Sequence, residues 1–241
     1  KQLGCRKLML TTTEGNERAI GLYKKFGFEI EAYRSEYVWV DGSWRKEYVM
    51  GLELVACEPK ISQSMLLQSR KPSKPSKFAK RNIVIRQLMD RDLDMVWRLQ
   101  NCPESTKSSC RVPPVPKEET NRWYEELKSR QGKYCLACFE DEKLLGYLRF
   151  GAGYPPSPNL KFEEMIVDVT RRPREVADAL IEAIKGFKER YGYRKIFAHT
   201  PQTSSAVVHA LERHGFKSTG VMKCFEFIDS YYVDVAVYGY P

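Results

Sequence analysis

Shifted against itself by 188 residues, the chain matches itself without a gap. Gly4, Arg6, Lys7, Thr12, Gly27, Phe28 and Asp41 fall on Gly192, Arg194, Lys195, Thr200, Gly215, Phe216 and Asp229. Average composition would give about two or three such identities over this span. The order of elements repeats too. Residues 1–57 read as a strand (Lys7–Thr12), a helix (Asn16–Phe26) and two strands (Glu29–Val40, Arg45–Leu54). The chain ends on a strand (Lys195–Ala198), a helix (Ser204–His214) and two strands. The chain therefore holds two copies of one unit, the first starting midway. Such a start fits a fragment of a larger tandem protein.

Between the copies the composition changes. Residues 58–81, including Arg70-Lys71-Pro72-Ser73-Lys74-Pro75-Ser76-Lys77, are rich in Pro, Ser and Lys without apolar periodicity, and read as a solvated linker. The linker holds seven basic groups and one acidic group, so it carries +6 of the net +9. With the excess charge outside the periodic segments, no basic face is indicated, which argues against a nucleic-acid partner. No run approaches the roughly 18 apolar residues of a membrane helix. The first residues lack a signal-peptide core. Seven cysteines at irregular spacing argue against a disulfide framework and for a reducing, cytoplasmic setting.

After the linker, periodicity alternates between strand and helix. Strand Ile83–Leu88 and helix Asp90–Gln100 precede a Pro- and Ser-rich loop, Cys102–Pro116. Helix Lys117–Arg130 leads to strands Tyr134–Phe139, Leu144–Phe150 and Phe162–Val169, then to the long amphipathic helix Pro173–Tyr191. The fold class is α/β, with a mixed α+β sheet.

One segment identifies the unit. Asn16-Glu17-Arg18-Ala19-Ile20-Gly21-Leu22-Tyr23-Lys24-Lys25-Phe26-Gly27-Phe28 closely resembles the N-x-x-A-x-x-L-Y-x-K-x-G-F signature of the GNAT superfamily of acyl-CoA N-acyltransferases. The resemblance covers residues 1–57 as the C-terminal half of such a domain and 82–241 as a complete one, leaving 58–81 as linker. It implies direct transfer of acetyl from acetyl-CoA, a co-substrate, to an amine. It gives Tyr23 the role of proton donor to the departing CoA thiolate, which suits a phenol, neutral at pH 7. Asn16 matches the residue that hydrogen-bonds the pantetheine arm. Each also has a plainer role, Asn16 as an N-cap and Tyr23 as a packing residue.

In the second copy Ser204 stands at the Asn16 position and Leu211 at the Tyr23 position, so this copy is degenerate and lacks that acid. Tyr231 and Tyr232 are the candidates to replace it. The resemblance places CoA against Val167, Val169, Arg172, Arg174, Val176 and Ala177, with the pyrophosphate at the N-terminus of the Pro173–Tyr191 helix. Arg172 and Ala177 fit the family's Q/R-x-x-G-x-G/A, but Glu175 occupies the first glycine position. As the third helical residue, Glu175 is also favoured by the helix dipole. Glu163 and Glu164 are candidate bases for the amine, and strand alternation would put them on opposite faces.

Other patterns point away from metal chemistry. Cys135 and Cys138 would face opposite sides of a strand, and Cys102 with Cys110 is poorly spaced for zinc. His199, His209 and His214 lack a matched nucleophile, and Trp123 and Tyr124 read as packing residues. The reading is an acetyl-CoA-dependent N-acetyltransferase acting on a small-molecule or protein amine, without a metal or a membrane. Copy one, completed, would carry the chemistry and copy two would shape the acceptor site. The half copy should pack on copy two or pair with a second chain in a homo-dimer. The alternative is a non-catalytic acyl-CoA-binding or protein-interaction module.

Overall fold

The computed structural model describes residues 5–54, 83–106, 113–152, 158–228 and 231–241. The expected linker, 58–81, lies outside the described residues. The first copy gives β1 (Lys7–Thr13), α1 (Glu17–Lys25), β2 (Glu29–Val40) and β3 (Ser43–Glu53). Then come β4 (Ile83–Gln87), a 3-10 turn (Asp90–Asp92), α2 (Leu93–Gln100), α3 (Pro103–Thr106) and α4 (Lys117–Ser129). Next are β5 (Lys133–Glu140), β6 (Lys143–Ala152), β7 (Asn159–Val167) and α5 (Pro173–Tyr191). The chain closes with β8 (Lys195–Pro201), α6 (Ser205–Arg213), β9 (Lys217–Ile228) and β10 (Tyr231–Tyr240). The short α3 inside the expected Cys102–Pro116 loop is an addition, since four residues carry no periodicity.

The described strands form one ten-stranded sheet in the order β1-β3-β2-β9-β10-β8-β7-β6-β5-β4. Its centre is a join between the two copies, where Ala32 of β2 pairs with Gly220 of β9. These two residues are themselves 188 apart, so each copy offers the same position to the other and a local two-fold axis passes between them. The repeat holds to the individual bulge. In β2–β3 the register slips between Ile30↔Met50 and Ala32↔Val49, and again between Arg34↔Glu47 and Val38↔Arg45. In β9–β10 the equivalent pairs are Ser218↔Tyr238, Gly220↔Val237, Met222↔Val235 and Glu226↔Val233. Glu36 and Cys224, one on each side, share a left-handed backbone with φ of 50° and 46°.

Contacts across the axis repeat as well, as in an isologous interface. Lys195 donates to Ser35 Oγ at 3.3 Å, and its equivalent Lys7 donates to the Lys223 carbonyl. Arg194 lies 4.5 Å over the Trp44 ring, and Arg6 lies 5.4 Å over the equivalent Tyr232. Tyr232, a candidate acid, is thus occupied at this join; the Tyr231 side chain lies outside the described residues. The half copy packs on copy two in this way. The apolar face of the half copy stays open: Leu8 and Leu22 are 43% and 51% exposed, whereas their equivalents Ile196 and Ala210 are fully buried beneath α5.

Copy two has a core on each face of its sheet. Pro173 opens α5 with a φ suited to the first helical position, and Gly192, at φ 71°, closes it. Between them Val176, Ala177, Leu180, Ile181 and Ile184 recur on one stripe and are fully buried against Leu148, Phe150, Leu160, Phe162 and Val167. Each large aliphatic side chain buried here contributes about 1.5–3 kcal/mol. The opposite face packs Val96 and Leu99 of α2 and Trp123 and Tyr124 of α4 onto Ala137, Tyr147 and Ile166. Arg86 fastens the entry to α2 by gripping the buried Asp92 at 2.6 and 2.9 Å and stacking on Phe139 at 3.8 Å.

Two stability predictions follow from these contacts. A Cβ on Gly220 would stand 2.3 Å from the Glu31 carbonyl oxygen and 2.8 Å from Ala32 Cβ, so Gly220→Ala should cost about 1–3 kcal/mol in urea unfolding. Hydrogen exchange should quicken first in β2 and β9; unchanged protection there would mean that the join is not held by this approach. For Asp92, burial pushes its carboxyl up, but the Arg86 guanidinium and the Met89 N–H outweigh it and hold it below the usual carboxylate range. Its stabilisation is therefore fully present above about pH 4 and fades as pH falls through the lowered value. Asp92→Asn should lose about 3 kcal/mol at pH 7 and flatten that acid limb.

Candidate functional site

β7 and β8 run parallel and pair only through Asn159–Phe162 and Lys195–Ala198 among the described residues. Beyond that, β7 continues to Val167 held by β6, and β8 continues to Pro201 held by β10. Each strand is fixed from outside while the two part from one another. Among the described residues no strand pairs β7 with β8 along the opening, and a ligand bearing amides can lie there.

A bulge sits where the strands part. Arg149 pairs with Glu164 and the next residue, Phe150, with Phe162, so Glu163 is extra on β7. The alternation of side chains is reset, and Phe162 and Met165 both face the α5 core. This corrects the expectation that Glu163 and Glu164 face opposite sides. Both reach Arg149, at 3.6 and 3.4 Å, and Glu163 also pairs with Lys133.

Glu164 is held by a buried polar chain that periodicity did not expose. Thr120 Oγ1 donates to Gln100 Oε1 at 2.6 Å, and Gln100 Nε2 donates to Tyr147 Oη at 3.0 Å. Tyr147 in turn donates to Glu164 Oε2 at 2.9 Å. Arg149 stacks over Trp123 at 4.7 Å, so α4 and β6 both fix the group that meets Glu164. A carboxylate placed in this way at the opening can take a proton from an amine.

At the other end of the opening, Val167 ends β7 beside Gly146, and Val169 packs at the edge of the α5 core. Val176 and Ala177 are fully buried in that core, and the Val176 N–H already donates to the Arg172 carbonyl at 3.1 Å, so neither side chain can reach a ligand. Arg172 caps α5 in a left-handed conformation, with φ 51°. Its guanidinium donates to Glu140 at 3.0 Å and also binds Glu175. Arg171 lies 3.7 Å from Asp168, whereas Arg174 is exposed. Of the three arginines, two are thus already engaged with carboxylates. Ser204 caps α6 without using its side chain, and its buried Oγ has no partner among the described residues. Leu211 is fully buried.

Asn16 and Tyr23 stand elsewhere. Asn16 Oδ1 accepts from Ala19 N at 3.3 Å as the cap of α1, and Tyr23 lies half-buried with its ring 5.9 Å from Phe28. Six strand spacings separate β1 from β7, about 29 Å. The structure therefore does not bring Tyr23 to the β7–β8 opening; it belongs with copy one.

Cys135 and Cys138 do face opposite cores, and burial pushes both thiols up, Cys138 to about 11. Cys224 is disulfide-bonded, which departs from the expectation of reduced thiols throughout. Among the described residues no cluster of His, Cys, Asp and Glu could hold a metal ion.

The model of the acetyltransferase (GNAT) family matches residues 1–28 and 94–216, more than half of the chain. The chain belongs to the GNAT acetyltransferase family. The two matched stretches end at Phe28 and Phe216, equivalent positions of the repeat. Among solved structures, an N-acetyltransferase from Staphylococcus aureus Mu50 is 20% identical with a TM-score of 0.58, covering 66% of this chain and 98% of its own. The spermidine N-acetyltransferase from Vibrio cholerae, solved with CoA and spermine, is 20% identical with a TM-score of 0.58, covering 66% and 94%. A phosphinothricin acetyltransferase from Sinorhizobium meliloti, solved with AcCoA, is 16% identical with a TM-score of 0.58, covering 66% and 88%. At these identities the structures establish the GNAT fold. No curated protein matches the sequence.

Glu175 offers a direct test of the α5 end. Its ion pair with Arg172 is exposed, with the two side chains 53% and 36% accessible, so the pair contributes at most about 1 kcal/mol. Glu175→Gly should leave Arg172 with Glu140 as its one carboxylate partner among the described residues, remove a charge from the helix N-terminus and tighten acetyl-CoA binding about two- to tenfold in titration calorimetry. The unliganded variant should melt slightly lower. Weaker binding would show that Glu175 does not obstruct the site.

Proposed function

We propose that the protein is an acetyl-CoA-dependent N-acetyltransferase and that the β7–β8 opening of residues 82–241 is its acyl-CoA site. The parting of two parallel strands at Phe162 and Ala198, beside the bulge at Glu163, is the observation that carries this reading. The pantetheine arm would lie between the strands, with its amides toward the strand backbone and Ser204 Oγ as an added partner. The pyrophosphate would meet the N-terminus of α5 near Arg172 and Arg174. The amine nitrogen then attacks the thioester carbonyl, Glu164 takes the amine proton, and the C–S bond breaks to release CoA thiolate. With Leu211 at the tyrosine position, the thiolate takes its proton from water; a thiol pKa near about 8.5 makes that feasible. Residues 1–57 would be the second half of a further GNAT-like unit, in which Tyr23 and Asn16 take the same positions as Leu211 and Ser204.

Neighbours solved with CoA or AcCoA support an acyl-CoA co-substrate, and no helix of the described residues is long and apolar enough to cross a membrane. A cytoplasmic setting is part of this reading, since Cys5, Cys102, Cys135 and Cys138 are free thiols, although Cys224 is disulfide-bonded. A second reading, acyl-CoA binding without turnover, is favoured by Leu211, which puts no proton donor at the tyrosine position. Thiol release from acetyl-CoA over a panel of amines separates the two. Glu164→Gln should lower turnover about 10²–10⁴-fold while acetyl-CoA still raises the melting temperature. Protection by acetyl-CoA without thiol release in the unaltered protein would establish the second reading.

A further inference from the structure

Where the two copies meet, a group of cations gathers beside the opening. On β8, Ile196 and Ala198 pack under α5, so Phe197 and His199 point to the other face. On β7, Lys161 shares that other face with Glu164, on the far side from Leu160 and Phe162. Across the two-fold axis, β2 brings the first copy's Tyr37 against Phe197 at 5.2 Å. Arg34 lies over the Tyr37 ring at 4.7 Å and gives one amino group to Glu47 at 2.5 Å. The groups facing this spot are therefore Arg34, Lys161 and His199, with Glu47 as the counter-charge.

Two of these groups keep an unused nitrogen. Arg34 Nε and His199 Nε2 are buried with no hydrogen-bond partner among the described residues. Burial, then the Arg34 and Lys161 charges, pushes the His199 ring down to about 3, so it is neutral at pH 7. Lys161 is exposed at its tip, and partial desolvation first and the Arg34 charge next lower it, with Glu47 opposing them. An arginine edge beside an ammonium and an imidazole N–H suits the planar fork of a carboxylate. In the reading above, coenzyme A would bring its phosphates to the N-terminus of α5, on the other side of the sheet, so the anion belongs to something else.

We propose that Arg34 of the first copy, with Lys161 and His199 of the second, forms a carboxylate-binding subsite that selects an acceptor amine bearing a carboxylate. The inference rests on the acyl-transfer reading above and names its acceptor class. Lys161 and Glu164 lie about 10 Å apart along β7, the interval that a compact amino acid would bridge with its carboxylate at one end and its amine at the other. The first copy thus acts at the second copy's site through a single hairpin.

Acetate is the probe for the subsite, read on the His199 ring by NMR against chloride at equal ionic strength; His199→Gln assigns the signal among the three histidines. Acetate should move the His199 resonances at pH 7, and Lys161→Gln should abolish the response while Lys161→Arg keeps it. In parallel, thiol release is compared for glycine, β-alanine and 5-aminovalerate against their carboxamides. One carboxylate acceptor should exceed its amide at least about tenfold in kcat/KM, with the preference falling about tenfold or more in Lys161→Gln. An acetate response no larger than that of chloride overturns the subsite, and equal use of acids and amides overturns its role in acceptor choice. If acetyl-CoA neither binds nor reacts while acetate still moves His199, the acyl-transfer reading fails and the anion site stands.

Discussion

Gly220 lets two equivalent strands touch. Backbone atoms of Glu31 and Ala32 lie within 2.3–2.5 Å of where its Cβ would be, so no side chain fits at position 220. Because the partner residue is the equivalent position of the other copy, the contact can be made once, on an axis, and everything on either side follows by rotation. The shared bulges, the left-handed residues Glu36 and Cys224, and the crossed cation–ring pairs are all consequences of that placement.

Much of this was legible in the sequence. The 188-residue offset gave the repeat, and the apolar stripe of α5 between Pro173 and Gly192 was read with both ends in place. The opposed cysteines of β5 followed from strand alternation. The bulge at Glu163 did not, because a single extra residue leaves no trace in composition and only the pairing with β6 reveals it. The expected faces of Glu163 and Glu164 failed for that reason. Nor was the Thr120–Gln100–Tyr147 chain visible, since its members lie on three separate elements. His199 gave no signal either; its meaning comes from Arg34, which is far away in the chain and near only across the axis.

The buried polar chain to Glu164 explains why α2 and α4 sit where they do. Apolar packing alone tolerates a helix sliding by a fraction of a turn, whereas hydrogen bonds of 2.6–3.0 Å between buried groups do not. Arg86 and Asp92 pin the start of α2 in the same manner. The wall beside the opening is thereby located by directional bonds, and the floor beneath it by the nondirectional packing of α5.

The crossed hairpins carry a consequence for how such a molecule changes over time. Lys195 meets Ser35, and Lys7 meets Lys223, so each copy supplies part of its neighbour's surroundings. A substitution on the β2–β3 hairpin alters the environment of β8, and one on β9–β10 alters that of β1. Neither copy can drift alone. A duplicated unit is ordinarily free to decay once its sibling does the work, yet here a copy that lost its own chemistry would still be retained as the frame of the other.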